Sequence, residues 1–327
     1  MMPARALGAA GPAVSAIGLG CMGMSQFYGP RDDTESARTI AMARDLGVTL
    51  FDTADMYGPY RNERLVGREV APFRDEIVLV TKFGNMKDGS GEVVGVNGRP
   101  EYVRQACEGS LRRLGVEVID LYLQHRVDRA TPVEETWGTL GELAAEGKIR
   151  WAGLCEASLD TIRRAHATHQ VTAVQTELSL FSREPRGGLL AALAAEGIGF
   201  MAYAPLSRGL LSGGIADRAD LTADDWRLGL PRFAAGAIGA NAALAGELAR
   251  FARRRDLTIA QLAIAWVLAQ GGNVQALIGT RRRPHLTENL RAAQVVLSAA
   301  DLAEIDAITG SVNVLGNRYP DMSHVNA

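Results

Sequence analysis

The chain has 327 residues, with 35 Lys and Arg against 37 Asp and Glu and a hydrophobic share of 47%. That balance excludes the strongly basic face a nucleic-acid partner requires. Cys21, Cys107 and Cys155, the three cysteines, form neither a disulfide framework nor paired-ligand metal spacing, so a reducing, cytoplasmic setting and no metal are expected.

Residues 6–30 carry no charge, yet they hold six glycines and no block of Leu, Ile or Val. They read as the glycine-rich start of a soluble fold rather than a leader or a membrane span, and no membrane partner is expected. A short strand is predicted at Ile17–Leu19, and a helix over Thr34–Leu46, closed by Gly47. Apolar runs at Thr49–Phe51, Ile77–Val80, Ile119–Leu123, Ile149–Leu154, Ala173–Gln175, Gly199–Tyr203 and Ala276–Ile278 predict seven further strands. Short uniform apolar runs mark strands buried on both faces. Helices are predicted between them at Arg99–Leu114, Val133–Glu146, Thr161–His169, Gly188–Glu196, Ala242–Arg254 and Ile259–Ala269, then at Pro284–Gln294 and Ala299–Ile308. Ser207–Asn241 lacks periodicity and reads as a long functional insertion after the seventh strand. Eight strand–helix units without a linker predict one (β/α)8 barrel domain over residues 1–327, with an extra C-terminal helix; an open doubly wound sheet is the competing topology.

The stretch Gly18-Leu-Gly20-Cys-Met-Gly23 matches a dinucleotide-binding fingerprint. Such a fingerprint needs a helix to open at its last glycine, facing the pyrophosphate. Here Gly29 and Pro30 break any helix almost at once, which excludes a Rossmann domain. In a parallel barrel the chemistry sits at the C-terminal ends of the strands. Asp52 and Tyr57 close the second strand, Lys82 the third and His125 the fourth. Singly each is an ordinary turn, loop or surface residue; at three consecutive strand ends they form an acid–base set. A lysine beside a tyrosine lowers a phenol pKa of about 10, and a carboxylate keeps the ammonium charged. A histidine opposite can donate to a carbonyl oxygen. That combination suits carbonyl reduction, where the oxygen gains negative charge. A short-chain dehydrogenase is excluded, because no tyrosine is followed four residues later by lysine.

At these residues the sequence resembles the aldo-keto reductases. The resemblance is carried by Phe51–Gly58 with Asn62, Glu63 and Gly67, by Thr81-Lys82, and by Gly115–Leu121 leading to Gln124-His125. Phe27–Pro30 and Asn317–Pro320 resemble a bacterial branch acting on small aldehydes and ketones. The resemblance implies a (β/α)8 barrel using NAD(P)H, with Tyr57 as proton donor, Asp52 and Lys82 tuning it, and His125 assisting. It implies cofactor contacts at Gly20, Met22, Asp52, Cys155, Gln175, Tyr203, Ser207, Gly209, Gly279, Thr280, Arg281, Glu288 and Asn289. Cys155 stands where the family often has serine, and His285 where an arginine often grips the 2′-phosphate. Arg281 is the best replacement for that charge, so NADPH is expected, with NADH left open. Phe27, Tyr28, Phe83, His125 and Arg126 are expected to bind a small carbonyl or alcohol substrate. Similar barrels also serve as nucleotide-binding, redox-sensing accessory subunits with little turnover, which is the alternative reading.

Overall fold

The computed structural model describes residues 2–88 and 93–325. Eight strands close into a parallel barrel: β1 (Ile17–Gly20), β2 (Leu50–Asp52), β3 (Val78–Phe83), β4 (Ile119–Gln124), β5 (Ile149–Cys155), β6 (Val171–Glu177), β7 (Gly199–Tyr203) and β8 (Val274–Gly279). The ring closes where Gly279 of β8 pairs with Gly20 of β1. All eight predicted strands are present, in the order expected.

Around them lie α1 (Asp33–Asp45), α2 (Arg61–Val70), α3 (Pro100–Leu114), α4 (Val133–Ala145), α5 (Leu159–Thr168), α6 (Leu189–Ala195), α7 (Ala235–Arg253), α8 (Ile259–Leu268), α9 (Arg283–Leu290) and α10 (Ala299–Gly310). Side-chain alternation along each strand divides the core in two. Leu50, Val80, Leu121, Leu123, Cys155, Ala173, Met201 and Leu277 fill the barrel interior. Phe51, Leu79, Phe83, Tyr122, Leu154 and Phe200 face outward against the helices.

Four elements differ from the sequence expectation. Helix α2 is absent from it, because its buried face is partly polar: Asn62 and Glu63 are fully buried beside Leu65, Val66 and Val70. Helix α7 begins at Ala235, seven residues before the predicted Ala242, so the insertion after β7 is shorter than expected and consists of 3-10 turns between Ser207 and Phe233. Its first turns, Ala-Gly-Ala-Ile-Gly-Ala, hold too few large apolar residues to show a period. Two antiparallel hairpins were also unread. Ala4–Ala6 with Ala13–Ser15 closes the bottom of the barrel, placing Leu7 and Val14 in the inner core. Asn85–Lys87 with Val93–Val96 follows β3 on the mouth side. Among the described residues no helix is long and apolar enough to cross a membrane.

Candidate active site

Inward-facing positions at the top of adjacent strands bring the predicted set together. Asp52 ends β2, and Lys82 lies one residue before the end of β3; in the β2–β3 register Asp52 pairs with Val80, so the lysine stands one inward step above it. Lys82 is fully buried, and its Nζ donates to Asp52 Oδ1 at 2.6 Å and to the Thr53 carbonyl at 2.8 Å. The Tyr57 hydroxyl lies 3.4 Å from the same Nζ. His125 meets the Tyr57 ring edge-on, centroids 5.8 Å apart. On the far side Gln175 Nε2 donates to Asp52 Oδ2 at 2.8 Å.

The loop carrying Tyr57 is braced by α2. Thr53 Oγ1 donates to Asn62 Oδ1 at 2.6 Å, and Asn62 Nδ2 donates to the Cys21 carbonyl at 2.9 Å. Glu63 accepts from Thr81 Oγ1 and from Arg113, both at 2.6 Å. Buried polar groups persist only when satisfied in this way. Asn62 and Glu63 therefore hold the β2 loop against β1, β3 and α3.

Burial and neighbouring charges set the protonation states. Burial opposes the Lys82 ammonium, but Asp52 and then Tyr57 hold its pKa above the usual lysine range. The Tyr57 phenol moves in the other direction from the sequence expectation. Burial pushes it up to about 12, and the attraction of Lys82 only partly offsets this. The physical reason is that desolvation penalises the phenolate more than one ammonium at 3.4 Å relieves it. His125 is held well below the ordinary histidine range by burial, reinforced by Lys82, Arg126 and Lys87, so the imidazole is neutral. Burial pushes the Cys155 thiol up to about 12, leaving it an inert thiol.

The expected cofactor positions after β7, β8 and β1 belong to neighbouring strands of the ring. Tyr203, at the top of β7, is fixed through its hydroxyl, which donates to Glu156 Oε1 at 2.7 Å and lies 3.0 Å from the Tyr319 hydroxyl. Ser207 shares a 2.8 Å hydroxyl contact with Ser179. Ala204, Ser207 and Arg208 are all left-handed, with φ of 50, 47 and 56°. Strained non-glycine residues of this kind cluster at binding loops. Gly20 and Gly279 are paired neighbours on β1 and β8, with Met22 in the first turn beyond β1. Helix α9 opens just past Thr280; its first N–H, that of Arg283, donates to Glu35 Oε1 at 3.4 Å, and Pro284 carries none. Asn289 is buried and Glu288 half-buried on the same helix. Arg281 Nη1 reaches the carbonyls of Gly29 and Pro30, stitching the β8 loop to the β1 loop. Arg283 instead pairs with Glu35 at 3.1 Å. A strained loop after β7 and a buried imidazole whose Nδ1 has no partner together fit a dinucleotide with its reactive end at His125.

The expected substrate wall is partly corrected. Phe27 packs on Trp226 with centroids 4.7 Å apart, and Tyr28 meets the same indole edge-on at 5.9 Å, so both stand at the mouth. Phe83 does not. Lys82 points into the barrel, so the next residue on the strand must point out, and the Phe83 ring stacks on Tyr122 at 4.8 Å in the outer core.

Two buried carboxylates were not singled out from sequence. Glu156, itself left-handed, binds Arg318 at 2.7 Å as well as Tyr203. Glu177 binds Arg208 at 2.8 Å and Arg232 at 3.2 Å. Burial works against the Glu177 carboxylate, but Arg208 and Arg232 hold it below the usual range. The available signal was a glutamate immediately following β5 and another ending β6, where an uncompensated charge would be costly.

A sequence model of the aldo/keto reductase family matches residues 16–309. Among solved structures, the glycerol dehydrogenase AKR11B4 from Gluconobacter oxydans is similar at 28% identity and a TM-score of 0.84, covering 99% of this chain and 96% of that one. The aldo-keto reductase AKR11C1 from Bacillus halodurans, in its holo form, is 25% identical with a TM-score of 0.77, covering 99% of each chain. The thermostable aldo-keto reductase Tm1743, solved with the inhibitor epalrestat, is 27% identical with a TM-score of 0.75, covering 94% of this chain and all of that one.

Proposed function

The chain belongs to the aldo/keto reductase family, and on that premise we propose that it reduces aldehydes or ketones to alcohols, reversibly, with NADPH as the preferred cofactor. The observation that carries this reading is a fully buried ammonium, Lys82, held 2.6 Å from Asp52 and 3.4 Å from the Tyr57 hydroxyl. Bound NADPH would supply a hydride to the carbonyl carbon.

Everything else falls to the side chains. Tyr57 stays protonated at neutral pH and is the proton donor, since its phenol lies at about 12. As negative charge builds on the carbonyl oxygen, that oxygen becomes more basic than the phenolate, and the proton moves to it. Lys82 stabilises the phenolate left behind, and Asp52 keeps Lys82 charged and aimed. Neutral His125 donates a second hydrogen bond to the same oxygen and fixes the face presented to the hydride.

For the cofactor, Tyr203 would stack on the nicotinamide while Gln175 and Asp52 meet its carboxamide. Ser207 and Gly209 would cover the pyrophosphate, with Gly20 and Met22 opposite. Gly279 and Thr280 would take the adenosine phosphate, with Glu288 and Asn289 beyond. Arg281 and the exposed Arg282 supply the positive charge that favours NADPH over NADH. Cys155 offers only a weak hydrogen bond to the carboxamide. A cytoplasmic enzyme forming one domain fits this reading.

A panel of aldehydes, ketones and alcohols run with NADPH and NADH in parallel tests it. Turnover of carbonyls with NADPH, faster than with NADH, is expected. Nucleotide binding without turnover of any carbonyl would favour the redox-sensing alternative.

A further inference from the structure

Four arginines crowd the mouth of the barrel, and two carboxylates serve them. Glu156 holds Arg318 at 2.7 Å, while Glu177 holds Arg208 at 2.8 Å and Arg232 at 3.2 Å. Arg126 is left over. Its guanidinium donates to the His125 carbonyl at 2.7 Å and stands 6.0 Å from the Tyr319 ring. Among the described residues no carboxylate comes within 4.0 Å of it.

Deeper in the site Lys82 and Asp52 balance one another, so they do not absorb this charge. The carboxylate whose charge does reach it, Glu156, is already engaged by Arg318 and Tyr203, and a half-buried guanidinium with no carboxylate in direct contact is best completed by an anion. The cofactor's phosphates are poorly placed to do so. Arg126 follows β4, which stands four places from β8 in the closed ring. The phosphate positions after β7 and β8 therefore lie across or beside the opening, whereas Arg126 adjoins His125 on the substrate side. The imidazole of His125 is neutral and cannot share in holding an anion by charge.

We propose that Arg126 determines specificity by fixing a carboxylate on the substrate, so that the compounds this site favours are oxo acids: small aldehydes or ketones that also carry a carboxylate. This rests on the reductase reading of the same site. The planar fork of the guanidinium matches a carboxylate in two parallel hydrogen bonds, so the charge also sets the direction from which the carbonyl enters. Neutral carbonyl compounds lack that anchor.

A matched pair of substrates tests this, because 4-oxobutanoate and its methyl ester share a chain and an aldehyde and differ in charge. The wild-type protein should favour the acid in kcat/KM by about tenfold or more, as expected for a charge-assisted anchor. In Arg126→Met that ratio should fall to about one or below, and Arg126→Lys should restore part of it. A wild-type preference for the ester, or a ratio unmoved by Arg126→Met in a variant with a normal unfolding midpoint, overturns the proposal while leaving the reductase reading intact. If neither compound is reduced, the carbonyl panel decides the reductase reading separately, and calorimetric titration of 4-hydroxybutanoate still decides on Arg126. Binding about tenfold weaker in Arg126→Met supports the anchor; equal binding refutes it.

Discussion

Lys82 sits at the centre of the site because it is charged, fully buried and paired with a single carboxylate at 2.6 Å. Removing one partner of such a pair strands the other charge in a medium that cannot solvate it. Lys82→Met should therefore cost about 3–5 kcal/mol of stability, read as a lower urea midpoint, and should lower turnover as well. An unchanged midpoint would mean that Asp52 finds water or another cation. The acid–base set was legible in sequence because strand ends in a parallel barrel share one rim. The direction of the Tyr57 shift was not legible. It depends on how completely the phenol is buried, and residue identity does not carry that quantity. Phe83 was misplaced for a simpler reason: once Lys82 is assigned inward, strand alternation sends its neighbour outward.

Among the elements, the barrel strands announced themselves because both of their faces are buried, so each reads as an uninterrupted apolar run. Helix α2 hid because it buries Asn62 and Glu63, which brace the Tyr57 loop and β3 rather than the core. The same helix packs against α3 at Gly67, where a Cβ would lie 2.1 Å from the Leu114 carbonyl oxygen. Backbone stands on both sides of that contact, so neither can yield cheaply. Gly67→Ala should force the two helices apart and cost about 1–3 kcal/mol, visible in the urea midpoint, and it should disturb turnover through the Asn62 and Glu63 braces. Wild-type stability in that variant would show that the helices separate freely. The tail beyond α10 reaches the site through Arg318 and Glu156. Sequence marked Asn317–Pro320 only by resemblance; the carboxylate that captures Arg318 follows a strand some 160 positions earlier, and no local pattern links the two.

For the whole molecule, acidity and stability are linked through Asp55. Burial, and then the neighbouring Glu63, push its carboxyl up to about 8. In the unfolded chain the same group titrates near 4. The folded state thus holds this proton more tightly, and the associated stability is complete below about pH 4 and is lost as pH rises through about 8. Asp55→Asn should flatten the fall in unfolding free energy across that window relative to the wild type. Parallel pH profiles for the two proteins would place the linkage elsewhere. At this scale the eight alternating units were legible but admitted an open doubly wound sheet as well as a closed ring, and the failed dinucleotide fingerprint and the strand-end motifs favoured the ring. The hairpin that closes its bottom was not, because strands of three residues are too short to show a period.

The most direct test of the account is the first turnover of NADPH with an aldehyde in the wild type and in Tyr57→Phe, followed by nicotinamide absorbance, with NADPH affinity measured alongside. Loss of the proton donor should slow the variant by about 100-fold or more while NADPH binds with nearly unchanged affinity. A variant that consumes NADPH at the wild-type rate would contradict the role given to Tyr57 and with it the chemistry assigned to Lys82 and Asp52.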